Sequence, residues 1–243
     1  MDVEALSGGL ISQVVDFHGK LIRNIKGIRE SQAVFDDLVE NEAEMQVAIA
    51  AEATGRMESR APLITRPFDY GTVITYPFLP CNWQQTRFSD GTRYGVWYGS
   101  LELETTVYES VHHWWRFVMD SYAAEDKAII ADRRVFNVRC DAILIDLRGK
   151  EERFPQLVSA SDYSFTQQLG GYLHEKEQNG VLVKSARCDG VNSVVFTPRV
   201  LSSPADVCYL TYAMNPRSRT VSIERERGVP WFVVECDAVW APV

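Results

Sequence analysis

From Pro62 onward the chain is punctuated too often for a helical fold. Short runs rich in β-branched and aromatic residues follow one another. They are TVITYPF (72–78), YGVWY (94–98), VFNVRC (135–140), AILIDL (142–147), GVLVKSA (180–186), SVVFTP (193–198), YLTYAM (209–214), TVSIER (220–225) and WFVVECDAV (231–239). Each has the length and composition of a strand. Only two stretches carry helical periodicity, 102–119 and roughly 161–178. Strands outnumber helices and do not alternate with them. That predicts an α+β fold around a mixed β-sheet, not a doubly wound parallel sheet.

The N-terminal part reads differently. In LISQVVDFHGKLIRNI (10–25) the apolar residues Leu10, Ile11, Val14, Val15, Leu21, Ile22 and Ile25 fit a helical stripe. Ser31 is placed to cap a second helix through SQAVFDDLVENEAEMQVAIAAEA. The expected organisation is an N-terminal helical extension over residues 1–60 and an α+β domain over 61–243, with the boundary near 58–62.

Composition excludes several classes of function. The hydrophobic content of 46% in 243 residues supports a sizeable core. A net charge of −8 and a pI near 5.1, with no long basic run, argue against a nucleic-acid surface. No apolar stretch approaches the ~20 residues of a membrane span. The start, MDVEALSGGLISQ, lacks the positive region of a signal peptide. Cys81, Cys140, Cys188, Cys208 and Cys236 are scattered, without a CxxC pair, and read as core thiols in a reducing compartment. A cytoplasmic protein is expected. Neither a GxGxxG nor a Walker A sequence is present, and no GxSxG elbow.

Within 102–119, Leu103, Val107, Val111, Trp114 and Val118 share one helix face. Glu109 lies almost opposite, with Thr105, His112 and Arg116. That polar face is either solvated or the lining of a cleft. Glu109 and His112 have the spacing of a metal-binding pair, but the second Glu-x-x-His that a di-iron site needs is missing, so no metal site is expected.

Two segments taken together resemble the RES domain family. One is TRFSDGTRYGVWYGSLELETTVYE (86–109): Arg plus an aromatic, a turn, Gly-x-x-Tyr closing a strand, then Glu-Thr opening a helix that carries the Glu. The other is GGYLHEKEQNGVLVKSARCDGVNSVVF (170–196): a helix, a Gly-led apolar strand, Ser-x-Arg and a further strand. On this match the family positions are Arg87, Tyr98, Glu109 and Ser185. The earlier family arginine falls at Arg66 in ITRPFDYG, with Arg60 as the rival assignment.

The resemblance implies a sheet similar to that of ADP-ribosyltransferases and an enzyme that consumes NAD⁺. It implies a toxin paired with an antitoxin that blocks the cleft. Phosphorolysis to nicotinamide and ADP-ribose 1″-phosphate is favoured over hydrolysis or protein ADP-ribosylation. NAD⁺ is then a substrate, phosphate a co-substrate, and no cofactor is needed. Opening the nicotinamide–ribose bond gives the ribose oxocarbenium character, which a carboxylate stabilises; that role falls to Glu109. Arg66 and Arg87 suit the pyrophosphate. Tyr98 suits the nicotinamide ring. Ser185 suits the ribose or the incoming phosphate. A non-catalytic binding domain is the reading of another class. Homo-oligomerisation is left open, because apolar stripes in residues 1–60 require burial.

Overall fold

The computed structural model describes residues 9–27, 71–122, 127–226 and 228–236. These residues belong to one compact unit. Its strands are β1 (Val14–Lys26), β2 (Trp97–Ser100), β3 (Ile129–Asp146), β4 (Gly180–Lys184), β5 (Val191–Val195), β6 (Leu201–Asn215), β7 (Thr220–Glu226) and β8 (Val229–Glu235). Its helices are α1 (Gly71–Thr75), α2 (Leu103–Tyr122) and α3 (Ser164–Glu175). The order in the sheet is β1-β2-β5-β4-β3-β6-β7-β8, with β1 also paired to β3. The β3–β4 pairing is parallel and the others are antiparallel. The fold is α+β with a mixed sheet, as expected.

The β1–β3 pairing closes a circuit, β1-β2-β5-β4-β3, beside which β6, β7 and β8 extend as a flap. β1 runs against β3 from Val14↔Ile145 to Lys26↔Arg133 and meets β2 at Ile22↔Ser100. The helix expected over 10–25 is therefore a strand. Both periods fit this stretch, and long-range pairing decides between them. Val15, Phe17, Leu21 and Ile25, at steps of two and four, pack into one core cluster with Trp97, Phe136, Val138, Leu144 and Leu182. Residues 1–8 and 28–70, which hold the rest of the expected helical extension and the domain boundary near residue 60, lie outside the described residues.

TVITYPF is another correction. It forms α1 and a 3₁₀ turn, Tyr76–Phe78, rather than a strand. Pro77 sits early in that turn, where its missing N–H does no harm, and it could not donate to a strand ladder. VFNVRC and AILIDL are halves of one long strand, β3, whose pairing with β6 is broken by irregularities at Val135/Phe136 and Asn137/Arg139.

The helices bury different parts of the sheet. On α3, Phe165, Leu169 and Leu173 pack with Val181, Val183 and Val194. On α2, Val107, Val111 and Val118 are fully buried against Leu210, Tyr212, Met214, Val221 and Ile223 of the flap. The opposite face of α2 is covered as far as His112, because Thr105 and His112 are also buried, while Arg116 beyond them is exposed. Gly190 permits this: a Cβ there would stand 2.0 Å from Thr105 Oγ1, so only glycine lets the β4–β5 turn approach the helix.

Candidate active site

Glu109 projects from the second buried face of α2 into a cleft of about 520 Å³. Ser185 donates a hydrogen bond to Glu109 Oε1 at 2.6 Å, and Asn192 Nδ2 donates to the same oxygen at 2.5 Å. Asn192 is itself held by Ser100, which donates to its Oδ1 at 2.7 Å. Ser100 and Asn192 are paired residues on adjacent strands β2 and β5. Ser185 follows β4, where its N–H donates to the Gly190 carbonyl, and its Oγ accepts from the Arg187 N–H at 3.0 Å. The Ser185 proton is thus committed to Glu109. Ser185 is buried and does not line the cleft.

Arg23, Arg87, Arg133 and Arg187 line the cleft, and Glu109 is the only carboxylate among the described residues that line it. Arg87 is placed by the turn after β-bridge residue Thr86. There Ser89 donates to the Tyr94 carbonyl and Tyr94 donates to the Phe88 carbonyl, each at 2.7 Å. Arg87 Nη2 donates to the Lys184 carbonyl. Arg187 Nη2 donates to the Ala160 carbonyl and to the Tyr163 hydroxyl, at 2.7 and 2.8 Å. Arg23 donates to the Tyr98 carbonyl at 2.8 Å and stands over the Trp97 ring. Arg133 is gripped by Asn24 through both its side-chain oxygen and its carbonyl. Arg23 Nε, Arg87 Nη1 and Arg187 Nη1 are buried without a hydrogen-bond partner among the described residues. A buried donor left unpaired costs about 1–3 kcal/mol, so these nitrogens favour an anionic ligand that completes them.

Burial shapes the titration of these groups. Desolvation pulls Arg23 down to about 10, with the Arg133 charge adding to the effect. Arg187 and Arg133 are lowered for the same first reason. Arginine stays charged at neutral pH despite such shifts. Desolvation pushes the Tyr98 phenol up to about 12. Its hydroxyl accepts from the Phe88 N–H and donates to Thr86, which leaves the ring as the part offered to the cleft. Burial, then the Arg187 charge, holds His112 down to about 3.

The structure brings Arg87, Tyr98 and Glu109 to one cleft and places Ser185 directly behind Glu109. Arg66 and Arg60 lie outside the described residues. Sequence reasoning missed Arg23, Arg133, Arg187, Asn192 and Ser100. Arg187 had a signal, as the Arg of Ser-x-Arg. Arg23 and Asn24 were hidden by the helical reading of 10–25. Among the described residues no group of three or more His, Cys, Asp or Glu gathers as a metal site, and no helix is long and apolar enough to cross a membrane.

The protein thus combines an α+β fold with a cleft in which four arginines surround one tethered carboxylate. The chain belongs to the RES domain family, whose pattern matches residues 57–215. The match includes Arg87, Tyr98, Glu109 and Ser185; β1, with Arg23 and Asn24, precedes it, and β7 and β8 follow it. Three chains of known structure are similar. One is from the M. tuberculosis MbcT–MbcA toxin–antitoxin complex, at 13% identity and a TM-score of 0.44, covering 80% of this chain and 86% of that one. No curated protein matches.

Proposed function

We propose that the protein depletes NAD⁺ by cleaving its nicotinamide–ribose bond, with phosphate as the favoured acceptor. The observation that carries this reading is the Glu109 carboxylate, bonded through Oε1 and set in a cleft to which Arg23, Arg87, Arg133 and Arg187 contribute. Oε2 faces the developing positive charge on the ribose and holds a ribose hydroxyl. The chemistry is electrostatic stabilisation of an oxocarbenium-like state. Arg87 and Arg23 bind the pyrophosphate, each with a buried nitrogen that lacks an acceptor among the described residues. Arg23 joins the pyrophosphate role expected of Arg66, which lies outside the described residues. Arg187 is available to the incoming phosphate, and the Tyr98 ring packs on nicotinamide. As in the family reading, the protein acts as a toxin in the cytoplasm, and a cognate antitoxin covers the cleft.

The test is to incubate purified protein with NAD⁺, with and without phosphate. Nicotinamide release that requires phosphate and yields ADP-ribose 1″-phosphate is expected. Phosphate-independent release of free ADP-ribose would replace phosphorolysis by hydrolysis. Label transferred to protein would replace it by ADP-ribosylation. No loss of NAD⁺ would sink the enzymatic reading in favour of a binding domain.

A further inference from the structure

The cleft contains a side chain that touches the carboxylate but has no part in the chemistry described above. Asn192 is 3% exposed, and its amide bridges two groups with opposite needs. Ser100 Oγ lies 2.7 Å from Oδ1, and Glu109 Oε1 lies 2.5 Å from Nδ2. A carboxylate only accepts, so Nδ2 must face Glu109 and Oδ1 must face away. The Ser100 hydroxyl then has a single consistent role, donating to Oδ1. On the other side Ser185 Oγ accepts from the Arg187 N–H and donates to Oε1. Two directional chains, one from β2 through β5 and one from the β4–β5 turn, therefore end on the same oxygen. No hydrogen bond among the described residues engages Oε2.

The geometry points to Asn192, oriented by Ser100, as a positioning residue that fixes the Glu109 carboxylate with Oε1 tied to protein and Oε2 free for substrate. This rests on the proposed role of Glu109 in the reaction. The anchoring is asymmetric by construction. A glutamate side chain has three rotatable bonds, and one donor restrains it less than two donors, one on β5 and one in the β4–β5 turn. Ser185 alone would leave the carboxylate free to pivot about a single bond. With Asn192 added, the plane of the carboxylate and the direction of Oε2 are both set before substrate arrives. Preorganisation of this kind matters most when charge develops on the substrate, so it acts on kcat more than on KM.

A double-mutant cycle in the full-length chain tests this. Asn192→Ala should lower kcat for nicotinamide release about 10–100-fold, the size expected for a misplaced catalytic group, with KM changed less than about threefold. Ser100→Ala, which frees the amide to turn, should lower kcat by about 3–10-fold in the same direction. In a Glu109→Gln background each change should cost less than about threefold more, because residues acting as a unit are not additive. Equal losses in both backgrounds would overturn the inference and make Asn192 merely structural. A crystal structure of the Asn192→Ala protein gives a readout that needs no activity. There the Glu109 carboxylate should leave its Ser185-bonded position or adopt several. A carboxylate unmoved from Ser185 would also overturn the inference. If wild type leaves NAD⁺ intact, the proposed function falls, and the crystal structure still decides whether Asn192 holds Glu109.

Discussion

The two walls of the cleft are built on opposite plans. On the carboxylate wall the polar groups are finished by the protein. Glu109 Oε1 accepts two hydrogen bonds, and both donors are held in turn by Ser100 and the Arg187 N–H. On the arginine wall the tethers are partial, since Arg23, Arg87 and Arg187 each keep a buried nitrogen without an acceptor among the described residues. Groups that must meet a developing charge gain from being rigid before the ligand arrives. Groups that bind an anion gain from leaving some donors to the anion itself. The walls also differ in how the chain assembles them. The carboxylate wall joins β2, α2, β4 and β5, all inside the family match, whereas Arg23 comes from β1, ahead of it.

The harshest way to break the comparison is to remove β1. A chain lacking residues 1–27 loses Arg23, Asn24 and a ladder that runs the length of β1 along β3. It also uncovers the core around Trp97 and Phe136 that Leu21 completes. We expect an insoluble or molten product, detected by loss of a cooperative thermal transition. A folded, NAD⁺-cleaving product would return this segment to the status of an accessory.

Glu109→Gln attacks the carboxylate wall alone. The amide oxygen still accepts from Ser185 and Asn192, so the fold should be intact while the charge is gone. Nicotinamide release should fall about 10²–10³-fold in kcat, typical for loss of one electrostatic stabiliser. Wild-type turnover in this variant would remove Glu109 from the mechanism.

The arginine wall should respond in the other parameter. Arg87→Lys and Arg23→Lys keep the charge but lose the planar fork that matches phosphate oxygens. Each should raise KM for NAD⁺ by about tenfold, roughly 1.4 kcal/mol, with a smaller change in kcat. If kcat falls while KM stays fixed, the two walls do not divide the work as described.

The smallest effect concerns pH. His112, buried on α2 near Glu109, is held down to about 3 from its ordinary 6.5 by desolvation. The imidazole is neutral in the fold, and on unfolding it takes a proton below pH 6.5. It therefore leaves stability untouched above that pH and erodes it as pH falls from 6.5 toward 3. His112→Phe should flatten the decline of melting temperature between pH 7 and 5. An unchanged slope would place the acid sensitivity elsewhere.

Much of the carboxylate wall was legible because it is local. Glu109 follows β2 by a few residues, and the apolar stripe of α2 fixes which way it faces. The β4–β5 segment carries Ser185, Arg187 and Asn192 within eight consecutive positions, although only the serine was singled out. Asn192 carried no signal, because nothing in DGVN says that its neighbour across the sheet is Ser100.

The sequence by itself determined the α+β class, the strands β4, β5, β7 and β8 to within a few residues, the C-terminal part of β6, both long helices, and the membership of Arg87, Tyr98, Glu109 and Ser185 in one family pattern. Those features rest on periodicity and turn residues, which act over a few positions. Only the tertiary structure decided that residues 14–26 are a strand, that Arg23 and Arg133 face the same cleft, and that Ser185 stands behind Glu109 rather than in the cleft. Val15, Leu21 and Ile25 satisfy a helical stripe and a sheet face equally well in isolation. The choice is made by β3, more than a hundred residues away, which supplies the hydrogen bonds and the core that a lone segment cannot.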